Sequence, residues 1–563
     1  MKNVHFLNSK PLHALATLLA ALPVLALGQV IPGAGTMLQQ VKPVQPSPAA
    51  PATLTINPSN DAPMSSSAPF PVKELRIQGN TLFDTETLHA LVAQAEGKTM
   101  PLGQLEAEVG RIAAYYNSQG YPLVRVVIPT QTVRDGIVSV QVIEGRYGKV
   151  SLNNASKVKD ELLQATLAPL APGKAVGQVE LDRALLLLSD VPGVKVNGVL
   201  KPGQTFGATD LVVDAVQSGP SVSGNVVLDN GGNRYTGEAR IAATVFVVNP
   251  LQHGDVLSVS ALSSGDKMNY GRLSYDTLID GNGTHLGGAL SALRYTLGGS
   301  LKALNAHGDA QVASLWAKHP LVRSQDFSLY GKVQLDRLQL RDRIDVSASR
   351  TDRHLDNVTA RLEGDLRDNF LVGAITSWDL GATVGRVGFD DDSAQSIDAQ
   401  SARIAGRYVK WNVNLARLQG LTMKYSLYLG VAGQWTDSNL DASQKISVGG
   451  PYTVRAYEVG AVSGDNGYTG TVELRHDLES SGNNRWQVIA FIDSAHVHIN
   501  QDVWGGVTGA NSVTLSGAGL GLNWVGAQQW SGKLHVAAPF GARPVLSSGS
   551  ASTRATVEIV RRF

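Results

Sequence analysis

The sequence predicts a mainly β protein, a transmembrane antiparallel β-barrel of sixteen strands preceded by two small α+β modules. Three observations point there. From about residue 221 to the end, helical periodicity disappears and the clearest segments alternate apolar and polar residues with period two. Between residues 72 and 217 a β-α-α-β-β order occurs twice, an internal repeat of about 75 residues. The composition is poor in charge, at 17% against the roughly 25% of soluble domains, and rich in Gly at 59 of 563 residues. Lys and Arg total 48 against 47 Asp and Glu, so the net charge of +1 argues against a nucleic-acid binder built on bulk positive charge. The absence of Cys excludes a disulfide scaffold, thiolate zinc sites and thiol catalysis.

The first element is an export signal over residues 1–28. Lys2 and Lys10 give a basic start, residues 12–27 are mostly Leu and Ala, and Ala26 and Gly28 supply the small residues of a cleavage site. Its apolar run, interrupted by Pro23, is short for a span of roughly 20 residues. Residues 29–70 form a linker. A short helix is expected over 35–41, followed by Pro43, Pro46, Pro48, Pro51, Pro58, Pro63 and Pro69, a composition for an extended chain. A plain spacer and a plugging role for the short helix are equally open.

In the first module, 71–146, a strand is expected over 72–77, with Val72, Glu74 and Arg76 alternating against Lys73, Leu75 and Ile77. Asp84 is the candidate N-cap of a helix reaching Ala95. A second helix over 102–117 carries Leu105, Val109, Ile112 and Tyr116 at helical spacing. Strands over 123–128 and 137–143 follow, around Asp135-Gly136. The second module, 147–218, repeats the order with a strand at 149–152, helices at 158–167 and 179–188, and strands at 194–200 and 211–217. A free edge strand in such modules can accept an extended peptide from a partner, so the module edges within 72–217 are the candidate substrate contact.

The barrel occupies 219–563. Phe327, Leu329, Val333 and Leu335 oppose Ser328, Lys332, Gln334 and Asp336. Val358, Ala360, Leu362 and Leu366 oppose Thr359, Arg361, Glu363 and Asp365, and a run over 421–431 behaves alike. A soluble sandwich alternates too, so alternation alone does not decide. An export signal, then about sixteen strands of roughly ten residues in series, favours a barrel with apolar groups toward lipid and charges toward a wet lumen. Only a closed barrel satisfies every backbone group in lipid. Val557, Ile559 and the terminal Phe563 share one face of the final strand.

Several segments carry a family resemblance. Residues 115–122 (YYNSQGYP), 142–145 (VIEG) and 319–324 (HPLVRS) are typical of it. The most specific match is Val454-Arg455-Ala456-Tyr457, followed by Ser463-Gly464-Asp465-Asn466-Gly467 and by Glu473 within Val472-Glu473-Leu474-Arg475. With Phe491-Ile492-Asp493-Ser494-Ala495, these segments resemble the outer-membrane transporters of two-partner secretion, the haemolysin secretion/activation proteins of the ShlB/FhaC/HecB type. The resemblance covers the whole chain and implies two POTRA modules ahead of the barrel. It implies that loop 437–467 folds back into the lumen, and that Arg455 at its tip pairs with Asp493 on the wall, with Glu473 as a second acceptor. The resemblance places Val454, Tyr457 and Phe491 in the same lock. Ala456 and Ala495 stand where the family has Gly.

No catalytic constellation is present: there is no H-E-x-x-H, Walker loop or G-x-S-x-G, so neither enzymatic activity nor a cofactor is expected. His496 and His498 share a strand face, too few ligands for a metal site. The Gly-rich run 517–521 reads as close backbone approach in the wall, and Asp390 to Asp392 as a solvated loop. The resemblance implies an outer-membrane pore whose periplasmic modules recognise an exoprotein with an N-terminal secretion domain and pass it outward without ATP. It further implies periplasmic chaperones, the barrel-assembly machinery and outer-membrane lipid as partners, and no nucleic acid. An insertase of the same superfamily and a passive porin are the alternatives.

Overall fold

The computed structural model describes residues 31–41, 53–56, 68–479, 482–541 and 553–563. The expected signal and most of the proline-rich linker lie outside the described residues. From Val222–Asp229 to Arg554–Arg562, sixteen antiparallel strands close a barrel in sequence order. The period-two pattern is the physical reason for its two faces. Leu335, Val358, Val384 and Val409 stand outward and exposed, whereas Lys318 pairs with Glu363 and Arg361 with Asp379 on the inner face. Rings cluster at the rim nearest the modules, where Phe327 meets Trp378 and Trp486 stacks on Trp524.

The closing seam is the shortest ladder of the barrel, with five paired positions where Phe327–Ile344 and Ser349–Asp368 share eighteen. The C-terminal Phe563 lengthens it by exchanging backbone hydrogen bonds with Gly224 at 2.9 and 3.0 Å. A Cβ at Gly224 would lie 2.6 Å from the Phe563 ring, so the seam needs a glycine there.

In the first module, Glu74–Gln78 runs parallel to Ile137–Ile143, which pairs antiparallel with Arg125–Val127. Helices Thr85–Val92 and Leu102–Ser118 cover this sheet with Leu88, Leu105, Val109, Ile112 and Tyr116. The Asp84 carboxylate accepts the Thr87 N–H at 2.7 Å, and the α-helix gives way to a 3-10 turn over Ala93–Ala95. The expected continuous strand over 72–77 is in fact two. Phe70–Val72 pairs with Lys98–Met100, the chain breaks at Lys73, and Val72 is therefore buried together with Leu75 and Ile77 rather than opposite them.

The second module sets Ala208–Gln217 between Arg146–Ala155, parallel, and Val194–Pro202, antiparallel. Helices Asp160–Leu167 and Gln178–Asp190 pack on this sheet. One stretch of the linker is not a spacer. Thr53–Ile56 adds a parallel strand to the free side of Val194–Pro202, and Leu54 packs against the module core. Alternating Thr and aliphatic residues are strong strand formers, a signal hidden by the prolines around them. The run expected from 421 also differs: residues 421–424 are a turn, and the strand begins at Tyr425.

The second module is fastened to the barrel rim. Arg323 grips Asp190 with two bonds of 2.7 and 2.8 Å, Arg183 donates to the Pro320 carbonyl, and Asn249 to that of Pro192. The HPLVRS segment is thus a strand end carrying a bulge and an anchoring arginine. At the outer end, Asp391 N-caps a short helix, Asp392–Ala399, so the acidic run is a helix start rather than a plain solvated loop.

Candidate functional site: the occupied barrel lumen

Between the strands Tyr425–Thr436 and Asn466–Asp477 the chain leaves the wall and folds inward. Ile446–Val448 and Val462–Gly464 pair as a small hairpin that carries the tip residues 449–461. Arg455 lies at this tip, 5% exposed, although it carries a full charge. Its Nε and Nη2 donate to the two oxygens of Asp493 at 2.8 and 2.7 Å, and its Nη1 donates to Glu473 at 2.6 Å. Its backbone N–H also reaches Asp493, at 3.1 Å. The planar guanidinium is suited to this two-carboxylate geometry, and its carbon centre lies 3.4 Å from the Phe491 ring centroid. Glu473 is held in turn by Arg475 at 2.6 Å, and Asp493 accepts from the Thr471 hydroxyl at 3.0 Å.

Alternation explains how the wall side is built. Glu473, Asp493 and Phe491 all fall on inward positions of adjacent strands, with Glu473 directly opposite Phe491 and Thr471 opposite Asp493. Val454, Ala456 and Tyr457 bury themselves beside Phe491, Ala495 and Leu515. Ala456 does not have positive φ, so a side chain is tolerated without backbone strain. Its methyl faces Gly517, where a Cβ would lie 2.4 Å away. Gly517 is therefore the seat of the tip. Its Gly-rich strand pointed to close backbone approach, but not to the loop that makes it.

The short helix, Ala34–Gln39, also lies inside the barrel. Ala34 and Met37 are fully buried among Tyr295, Leu340 and Tyr408. Asp342 accepts the Ala34 N–H at 2.8 Å and the Tyr295 hydroxyl at 2.6 Å. The same Asp342 takes a 2.7 Å bond from Arg353, whose Nε bonds Asp441 of the inward loop at 2.5 Å. A Cβ at Gly35 would sit 2.6 Å from the Ser443 nitrogen, so helix and loop touch directly. Asp342, Arg353 and Asp441 were not singled out from the sequence. The one available signal was that Asp342 and Arg353 fall on inward positions of their strands.

In the first module, the YYNSQGYP and VIEG segments converge. Glu144 is buried and accepts from Tyr116 Oη at 2.9 Å, from the Thr81 and Leu82 N–H groups at 2.7 and 2.8 Å, and from Arg146 at 2.8 Å. Burial works to raise its pKa, but the bonds from Thr81, Leu82 and Tyr116 outweigh it and hold the carboxyl at about 2. Among the described residues no cluster of three metal-ligating groups occurs; His496 stacks on Tyr468 and bonds Thr514.

A closed sixteen-stranded barrel with α+β modules before it, and a loop and helix within it, defines an outer-membrane β-barrel transporter with its modules in the periplasm. Residues 70–145 match the POTRA domain, ShlB-type. Residues 207–524 match the family model haemolysin secretion/activation protein ShlB/FhaC/HecB, and the chain belongs to this family of two-partner secretion transporters. It is 27% identical over 477 residues to the heme/hemopexin transporter protein HuxB of Haemophilus influenzae, covering 84% of each chain. It is 24% identical over 490 residues to the outer membrane transporter CdiB of Escherichia coli, covering 84% of this chain and 79% of CdiB. The solved structure of CdiB from Escherichia coli superposes with a TM-score of 0.72 at 20% identity, covering 92% and 94% of the two chains.

Proposed function

We propose that this chain secretes a haemolysin- or adhesin-like exoprotein, recognising its N-terminal secretion domain at the module edges and passing it outward through the barrel without ATP. The observation that carries this reading is that two elements separate from the wall occupy the lumen, each held by a few charge-assisted contacts. A wall-only porin needs neither. The helix is tied through Asp342, the loop tip through Arg455, and Arg353 bridges the two, so release of one loosens the other. The charged inner wall suits an extended chain, because polar side chains bind a moving segment weakly at many places. Folding of the emerging exoprotein outside the cell supplies direction.

The modules offer sheet edges that an extended segment of the exoprotein can join by backbone hydrogen bonds. The strand Arg146–Ala155 forms one edge of the second sheet, and Thr53–Ile56 already occupies the other. The test is secretion. A chain lacking residues 72–217, checked for a folded barrel by its heat-modifiable migration, is expected to leave the exoprotein in the periplasm. Continued appearance of exoprotein in the medium would overturn the proposal.

A further inference from the structure

The outward face of the barrel carries an unbalanced row of charge at one level. Across four adjacent strands, Arg337 stands opposite Asp356, Asp356 opposite Arg386, and Arg386 opposite Arg407. All four are exposed. The residues that alternate with them point inward: Val387, Leu355 and Tyr408 are buried against the lumen helix. The row therefore faces the membrane side, not the pore.

Its height is fixed by what lies beneath it. One outward step toward the periplasm is the wholly apolar row Leu335, Val358, Val384 and Val409, in the same register. Trp411 and its cross-strand partner Trp435 follow, both exposed. On one strand the outward residues read Trp378, Leu380, Ala382, Val384 and Arg386. Trp378 belongs to the periplasmic ring cluster. Eight residues at about 3.4 Å span roughly 27 Å, or about 21 Å along the normal for a strand tilted about 40°. That is close to the roughly 25 Å apolar band of such barrels. Arg386 and Arg407 thus stand at the outer headgroup level, on the far side from the periplasmic modules.

Three cations share one carboxylate in this row. Asp356 is bonded to Arg337 at 3.2 Å. Arg386 and Arg407 have no ion pair or hydrogen bond among the described residues, and directly opposed like charges about 5 Å apart destabilise a sheet. The next outward pair, Gln339 opposite His354, carries no such excess, since His354 bonds Asp390; beyond it Arg341 lies by Asp309 and Arg343 grips Asp352. An unbalanced pair of guanidinium forks just above an apolar wall suits an anion whose own apolar part lies along that wall. We propose that Arg386 and Arg407, with Arg337 beside them, bind the phosphate of a phosphorylated glycolipid of the outer leaflet, its acyl chains lying over Val384, Val409 and Trp411. The two forks offer bidentate phosphate contacts, and the lipid relieves their mutual repulsion.

The test uses the purified full-length protein in detergent, probed with bisphosphorylated lipid A, its dephosphorylated form, and inorganic phosphate, with bound lipid read by native mass spectrometry. Bisphosphorylated lipid A is expected to bind at least about tenfold more tightly than the dephosphorylated form, the equivalent of about 1.4 kcal/mol. The pair Arg386→Gln and Arg407→Gln should abolish that preference, and Arg407→Gln alone should reduce it. Lys195→Gln with Lys201→Gln, which removes the same charge from the second module, should leave it intact. Retention of the preference in the arginine double variant would overturn the proposal, as would equal loss in the lysine control. Displacement of lipid A by millimolar phosphate would reassign the row to a free anion and overturn it as a lipid site.

Discussion

Replacing Arg455 with alanine removes three side-chain hydrogen bonds and leaves two carboxylates to find other partners. They are not left equally exposed to the loss. Glu473 keeps Arg475 at 2.6 Å, while Asp493 keeps only the Thr471 hydroxyl at 3.0 Å and the backbone N–H of residue 455. Breaking a buried ion pair by removing one partner costs about 3–5 kcal/mol, and the bonds that Asp493 retains place the expected cost at the lower end, about 3 kcal/mol. The cost falls on docking of the loop rather than on closure of the barrel, because every strand ladder survives. Amide hydrogen exchange within Ile446–Val448 and Val462–Gly464 reads local opening directly. At about 1.4 kcal/mol per factor of ten, exchange there should quicken by roughly a hundredfold, with strands such as Ser349–Asp368 unchanged. Asp493→Ala should have a smaller effect, because Arg455 then still holds Glu473 at 2.6 Å. The double variant should fall short of the summed single effects by about 1 kcal/mol or more. Exchange unchanged in Arg455→Ala, or strictly additive penalties, would refute the lock.

The remaining predictions concern three other junctions. Glu144 has its folded pKa depressed to about 2, so its contribution to stability is present above the unfolded value near 4.5 and lost as pH falls from there toward 2. At 1.36 kcal/mol per unit this amounts to about 3 kcal/mol, and Glu144→Gln should lose that much less than the parent chain when urea unfolding of the first module is compared at pH 7 and pH 2. Arg323→Ala should free the second module from the rim, raising proteolytic cleavage near residues 218–221 severalfold while the barrel stays intact. Gly517→Val should expel the loop tip, since even a Cβ there lies 2.4 Å from Ala456; it should quicken exchange in the loop as Arg455→Ala does, although Arg455, Asp493 and Glu473 all remain.

Much of this architecture was legible along the chain. Period-two alternation announced both barrel faces, and two rounds of helical spacing announced the modules. Arg455, Asp493, Glu473 and Phe491 were named from resemblance, and the structure brings them within hydrogen-bond or ring contact. Other features were not legible. Thr53–Ile56 was hidden in a proline-rich segment, because four residues with a strand pattern mean little until a partner edge exists. Asp342, Arg353 and Asp441 are single charges far apart in sequence, and nothing local marks them as one network.

By itself, then, the sequence determined which residues share a face of each strand, because that follows from alternation; the export signal and the number of strands assigned the apolar face to lipid, and the sequence also determined the order of modules and barrel. What fills the lumen was decided only in three dimensions. The helix Ala34–Gln39 and the loop carrying Arg455 lie there because a closed wall brings residues 33–41, 342, 353 and 441 to one place. Register likewise set Arg386 beside Arg407, a pairing that the spacing of two arginines in a linear chain does not record. Local pattern is a property of neighbours in sequence; burial of charge, seating of a loop tip on Gly517 and repulsion across strands are properties of neighbours in space.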